Sequence, residues 1–375
     1  MANLQRIKTF DDWIDCFKQW QQDIGIDTKY FQEFHLEPKY DQLDSSAIEF
    51  GDFAGEKKWE SVMDIPDQRV RDAVLNMIVY QGDTEFASVE QQRSLFAQAP
   101  NEYDLYCLSR VMAEEMRHGW QMCHVLVEHF GDTGKIEARK QLERRSWQKN
   151  RLLGSFNEDV DNMLDFFVYT QFVDRDGKYQ LKMLSKSSFA PLARSMGPML
   201  KEESFHLGTG NNGLLRVVKK GRIPIPLLQK YVNKWLPTAY DLFGKDRSST
   251  AHWAYVWGIK GRFDEGETRD AVDKEHLNER SRGQYHDEAV GLIDRLNKLI
   301  PDGQPKLTAP NMKFNRSIGD YAGQQWSVDG AKQMTPEEYA KYAPTVLPND
   351  KDKAELKAIL KENDWIDARP RPEKA

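Results

Sequence analysis

The chain is poor in cysteine. Its 375 residues hold three, Cys16, Cys107 and Cys123, with no CxxC pair. That excludes a disulfide framework and reads as free thiols in a reducing, cytoplasmic compartment. No run of about 18 apolar residues occurs, so no membrane span is expected. Met1–Arg6 lacks a long apolar run, so no signal peptide is expected. Neither charge dominates: 53 Lys and Arg face 59 Asp and Glu, for a net −6. This balance argues against general nucleic-acid binding, although a local basic patch could still hold a phosphorylated ligand. There is no low-complexity tract.

Aromatic residues are plentiful, with 10 Trp, 14 Tyr and 18 Phe, which points to well-filled cores and an apolar ligand pocket. The length suits one large domain or two smaller ones. Residues 1–60 read as a helical lead-in (Phe10, Trp13, Phe17 and Trp20 at helical spacing, capped by Thr9 or Asp11) followed by loop and short strands that wrap the body. Residues 61–215 read as four long helices: 67–95, 102–129 (closed by Gly131), 157 or 158 to 186, and 191–207. The last is stopped by the loop Gly208-Thr209-Gly210-Asn211-Asn212-Gly213. Residues 216–300 read as additional helices packed on these, and 301–375 as an extended Pro- and charge-rich segment with helices near 336–343 and 351–363.

The chemistry lies in a repeated spacing. Glu115 and His118 stand three apart, and so do Glu203 and His206. On a helix, positions i and i+3 leave from one face, so each pair is a half-site for a first-row metal. Two more acids interrupt apolar helical stripes, Glu85 on the first long helix and Asp174 on the third. A buried acid is costly unless paired or metal-bound. Glu85 precedes Glu115 by 30 residues and Asp174 precedes Glu203 by 29. Each half is therefore a carboxylate helix followed by a Glu-x-x-His helix, the pattern of a four-helix bundle with a pseudo-twofold carboxylate-bridged di-iron site. Glu115 and Glu203 are the expected bridges.

Each residue also has an ordinary reading. Glu85 could pair with Arg93 or Arg117, and Asp174 with Arg175 or Lys178. Asp161 and Asp165 compete with Asp174. Gln81, four before Glu85, could hydrogen-bond near the metals or a substrate carbonyl, or be a core-edge amide. Glu114 and Glu202 point about 100° away from their ligand neighbours, where they suit ion pairing or bracing of a ligand.

Three segments carry a family resemblance: Glu-Glu-Met-Arg-His-Gly-Trp-Gln-Met, Val-Asp-Arg-Asp-Gly-Lys-Tyr-Gln-Leu and Lys-Glu-Glu-Ser-Phe-His. Over roughly residues 60–320 the chain resembles the ferritin-like oxygenase components of the benzoyl-CoA and phenylacetyl-CoA epoxidases. The resemblance implies a mostly α fold, a ferritin-like four-helix bundle with extra helices. It implies a non-haem di-iron monooxygenase with O2 as co-substrate and an aryl-CoA thioester, benzoyl-CoA first, as substrate. Its ligands would be Glu85, Glu115, His118, Asp174, Glu203 and His206. Electrons would come from a separate flavin and iron–sulfur reductase, the only user of NADPH. A homodimer is compatible with this reading. The CoA phosphates would need a cationic anchor, for which Arg216, Lys219, Lys220 and Arg222, or Arg144, Arg145, Lys149 and Arg151, are candidates against their reading as solvated charge.

Overall fold

The computed structural model describes residues 7–246, 249–268, 271–362 and 364–369. The leader reading of Met1–Arg6 lies outside these residues. The fold is mostly α. Helix α1 spans Phe10–Asp23, and the bundle proper is α2 (Gln68–Gln92), α3 (Glu102–His129), α5 (Met163–Leu184) and α6 (Ala190–Lys220). Helix α4 (Gly131–Glu143) lies between α3 and α5, followed by α7 (Ile225–Leu242), α8 (Ser249–Val256) and α9 (Leu277–Asn297). A two-stranded antiparallel sheet, β1 (Gln325–Trp326) with β2 (Gln333–Met334), precedes α10 (Pro336–Val346) and α11 (Asp350–Leu360). The expected end of α11 at Asn363 lies outside the described residues.

The capping chemistry is local. The Thr9 side chain accepts from the Asp12 N–H, while Asp12 reaches back to the Thr9 N–H, a reciprocal box that starts α1. Asp67 caps α2 and Asn101 caps α3. Asn162 caps α5 by accepting from the N–H groups of Leu164 and Asp165, so α5 starts later than Asn157 or Glu158 would allow. Gly131, at φ +56°, turns the chain out of α3 and directly into α4, a helix that periodicity alone does not predict.

Helix α6 corrects another expectation. It runs unbroken for 31 residues through the glycine-rich stretch expected to stop it. A Cβ on Gly210 would lie 2.5 Å from the backbone nitrogen of Gln171, and one on Gly213 would run into the Phe167 ring. These glycines let α6 press against α5; they do not end it. Among the described residues up to position 60, only isolated bridges (Ala47 with Lys57, Trp59 with Phe189) stand where short strands were expected.

The bundle is two hairpins, α2 with α3 and α5 with α6, joined where α3 crosses α6. Gly119 permits the close approach of α3 to Phe86 on α2, since a Cβ there would meet that ring at 2.6 Å. Helix α1 packs outside against α4 and α3, with Trp13, Phe17 and Trp20 fully buried. Helix α7 covers α5. No helix among the described residues is long and apolar enough to cross a membrane.

Candidate metal centre

Six side chains converge from the four bundle helices. Glu85 comes from α2, Glu115 and His118 from α3, Asp174 from α5, and Glu203 and His206 from α6. All six are buried. Two sets have ligand atoms within 4.8 Å of one another: Glu85, Glu115 and His118, and Glu115, Asp174 and His206. Glu115 belongs to both. His118 Nδ1 lies 3.4 Å from Glu85 Oε2, and His206 Nδ1 lies 3.4 Å from Glu115 Oε1. Glu203 sits between the imidazoles, 3.7 Å from His118 Nδ1 and 3.5 Å from His206 Nδ1.

The outer edges of the two rings are braced crosswise. Glu202 Oε2 is 3.0 Å from His118 Nε2, and Glu114 Oε2 is 3.1 Å from His206 Nε2. Each of these acids sits directly before an inner glutamate on the opposite hairpin. Arg117 Nε (2.6 Å) and Lys39 Nζ (3.3 Å) donate to Glu202, and Arg110 Nε (2.9 Å) donates to Glu114. A carboxylate only accepts, so the proton of each neutral imidazole sits on Nε2. The Nδ1 lone pair is then left facing inward, the tautomer a metal ligand needs.

The inner surface has the character of a cation cradle. His118 Nδ1, His206 Nδ1, Asp174 Oδ2 and Glu203 Oε2 are buried with no hydrogen-bond partner among the described residues. Burial and the Glu85 charge hold Glu115 well above the usual carboxylate range, and burial with the Glu203 charge pushes Asp174 up to about 8. Burial would raise Glu202 too, but His118 and Arg117 overcome it and hold this acid at about 2. The cations that could have neutralised the ligands are engaged elsewhere. Arg93 donates to the Glu90 carbonyl, and Arg175 and Lys178 bind Glu288. The competing acids are satisfied as well. Asp165 accepts from Lys234 (2.9 Å) and Trp235 (2.7 Å), and Asp161 pairs with Lys353. Four carboxylates and two imidazoles around adjacent positions fit two divalent first-row cations.

A cavity of about 350 Å³ opens on this cluster between α2 and α5. Glu85, Glu115, Asp174 and Glu203 form part of its wall, and Met77, Phe156, Val173, Met183 and Leu184 give it apolar sides. Gln81 lines it and donates to Glu85 Oε1 at 2.6 Å, which places this amide beside the cluster. Tyr169 lines it too, its buried hydroxyl without a hydrogen-bond partner among the described residues.

A family model described as "Phenylacetic acid catabolic protein" matches residues 60–306. The chain belongs to this family. Within the curated relatives, "Benzoyl-CoA oxygenase component B" of Aromatoleum evansii is 32% identical, over 96% of this chain and 91% of that protein. The likeness therefore extends beyond the 60–320 span expected. A 1,2-phenylacetyl-CoA epoxidase subunit of Escherichia coli (strain K12) is 22% identical, over 67% of this chain and 74% of that protein.

On this phenylacetic acid catabolic scaffold, most members of the two basic clusters offered as phosphate anchors are paired with acids of the chain. Arg144 and Arg151 pair with the buried Asp83, and Arg145 and Arg151 reach Glu90. Arg216 pairs with the buried Asp104, and Lys220 and Arg222 with Asp367 and Asp364. The cations that do line the cavity are Lys245, Lys260 and Arg262. Sequence reasoning missed them because they lie about 25 to 42 residues beyond the end of α6, the last helix of the cluster, and follow no period.

Proposed function

We propose that this protein is the oxygenase component of an aryl-CoA epoxidase, a non-haem di-iron monooxygenase. It adds one atom of O2 across a ring bond of an aryl-CoA thioester, with benzoyl-CoA the first candidate. A separate flavin and iron–sulfur reductase, fed by NADPH, supplies the electrons in a cytoplasmic reaction. The observation that carries this reading is the meeting of a two-position cation cradle with an apolar cavity. The family match and the name of the 32%-identical relative support the oxygenase class, and the word "component" in that name supports a multi-protein system. A homodimer and a 61–215 catalytic unit belong to the same proposal.

In this reading Glu85, Glu115, His118, Asp174, Glu203 and His206 would together hold two iron ions. The two iron ions supply the reductive activation of dioxygen. The chain's own task is placement. Glu114 and Glu202 fix both imidazoles with Nδ1 inward. Gln81 holds Glu85 in orientation. The apolar walls seat the aromatic ring against the carboxylates and keep water from the reacting face.

Phenylacetyl-CoA is the second substrate to test, given the 22%-identical relative. The test is turnover of benzoyl-CoA and phenylacetyl-CoA by iron-loaded protein with a chemical or enzymatic reductant under ¹⁸O2. The expected result is a product heavier by one labelled oxygen. Iron oxidation with no oxygen transferred to either thioester would instead favour a metal-handling ferritin-like protein.

A further inference from the structure

The cavity has a polar strip that neither the metal cradle nor the apolar walls require. Gln180 lies six residues beyond Asp174 on α5, about 9 Å along the axis at 1.5 Å per residue. Its Nε2 donates to Asp176 Oδ1 at 2.9 Å, and its Oε1 accepts from Lys260 Nζ at 2.5 Å. Asp176, Gln180 and Lys260 all line the cavity. Two residues on, Arg262 lines it as well. This residue is 5% exposed, and its Nη1 is buried with no hydrogen-bond partner among the described residues. The other Arg262 contacts, to Glu265 and Asp264, run through Nε.

A buried ammonium is costly unless its donors are used, by groups of the chain or by a ligand. Lys260 has three, and Gln180 takes one. The reach decides which ligand atom is in range. An aryl thioester whose ring lies at the carboxylates places its carbonyl oxygen about one helical turn or two away. The phosphates of a CoA-type carrier lie much farther out along its flexible arm.

We propose that Lys260, with Arg262 beside it, hydrogen-bonds the carbonyl oxygens of the acyl thioester and its arm, and so sets how deep the aryl ring reaches toward the metal cradle. This deepens the aryl-CoA reading and rests on it. A carbonyl acceptor is thereby a specificity requirement of the site, and the ring is held at one depth and rotation.

The test compares benzoyl-CoA with S-benzyl-CoA, a thioether of nearly the same shape without the carbonyl. Binding is measured by calorimetry on the iron-loaded resting protein. The wild type is expected to prefer benzoyl-CoA by roughly ten- to a hundredfold, the worth of one hydrogen bond to a charged donor. The charge-neutral double variant Lys260→Met with Asp176→Asn should bind the two ligands within about threefold of each other. Lys260→Gln, which leaves Asp176 in place, should fall between, and serves if the double variant does not fold. Melting curves establish that each variant is folded. In turnover, loss of the contact should uncouple O2 consumption from product, whereas Lys260→Arg should restore coupling. A wild-type preference that survives in folded Lys260 variants overturns this inference and leaves the aryl-CoA reading standing. A wild type that binds neither ligand overturns both.

Discussion

Helix α2 carries buried acids with two different fates. Asp83 and Glu90 are 1% and 0% exposed, and each is saturated. Asp83 accepts from Arg144 (3.2 Å), Arg151 (3.0 Å) and the Leu152 N–H (2.8 Å). Glu90 accepts from the Trp20 indole (3.1 Å) and the Ser146 N–H (2.7 Å), and pairs with Arg151 Nη2 at 2.7 Å. Glu85, between them on the same helix, faces His118 and the Glu115 carboxylate, with the Gln81 amide as its hydrogen-bonding neighbour. Burial alone therefore does not mark a ligand acid. What separates the two regions is the source of positive charge. One acid cluster pins the crossover between the hairpins with arginine supplied by the chain. The other has, among the described residues, no arginine or lysine on its inner face and only two imidazoles to set against four carboxylates, the deficit that the proposed metal ions would fill.

Swapping demands between the regions gives the largest effects. His206→Ala or Glu115→Ala should reduce bound iron from about two per chain to one or fewer. Activity should fall at least about 1,000-fold, beyond the roughly 10- to 100-fold that outer partners of a ligand are worth. The metal-free protein should lose little stability, and Glu115→Ala should cost least, because it removes a carboxyl that burial and the Glu85 charge disfavour in its ionised form. Iron analysis and urea unfolding measure both. Full iron and activity in either variant would remove the ligand assignment. Arg151→Ala should do the reverse. It takes the shared guanidinium from two buried carboxylates, leaving Asp83 with Arg144 and Glu90 with the more distant Arg145, at a cost of up to about 3–5 kcal/mol, read as a lower urea midpoint, while the folded fraction keeps its iron. Loss of iron without loss of stability would erase the distinction between the regions.

The sequence pattern made the helices of the candidate site legible because their signal is local. Glu-x-x-His is a one-turn motif, and an acid in an apolar stripe stands out at any position. Helix α3 has the expected bounds, 102–129. What stayed hidden depends on tertiary contacts. The glycines at 210 and 213 resemble a loop in one dimension, and only their packing against α5 shows them as interior helix. Asp83 and Glu90 could not be told from Glu85 by periodicity, because the arginines that satisfy them lie about 55 or more residues away. The roles of Glu114 and Glu202 were half visible. Their direction followed from the helical wheel, but their partner histidines belong to the opposite hairpin.

Those outer acids give a smaller effect. Glu202→Gln keeps the size but provides an amide that can present either an acceptor or a donor to His118 Nε2, so the inward Nδ1 lone pair is no longer enforced. Iron affinity or turnover should fall roughly 10- to 100-fold, and Glu114→Gln should act equally on His206. Equal effects would support the pseudo-twofold reading. A loss from only one would show that the two halves differ in function.

The mildest probe is pH, and the sign follows from Asp174. Its carboxyl rises from an ordinary 3.8 to about 8 in the fold, through burial and the Glu203 charge. Between those values the unfolded chain has lost this proton while the folded metal-free chain keeps it. The folded state then binds more protons, so Asp174 makes stability fall as pH rises across that window. Glu202 works oppositely. Held at about 2 by His118 and Arg117 against its burial, it adds stability that is complete above its ordinary 4.5 and lost as pH falls toward 2. Bound cations require the ligand carboxylates to be deprotonated, so metal binding releases protons and tightens with pH. Melting temperatures of metal-free and iron(II)-loaded protein should therefore diverge as pH rises from about 5 toward 8. Parallel curves would mean that Asp174 keeps its proton in the loaded protein and holds no metal.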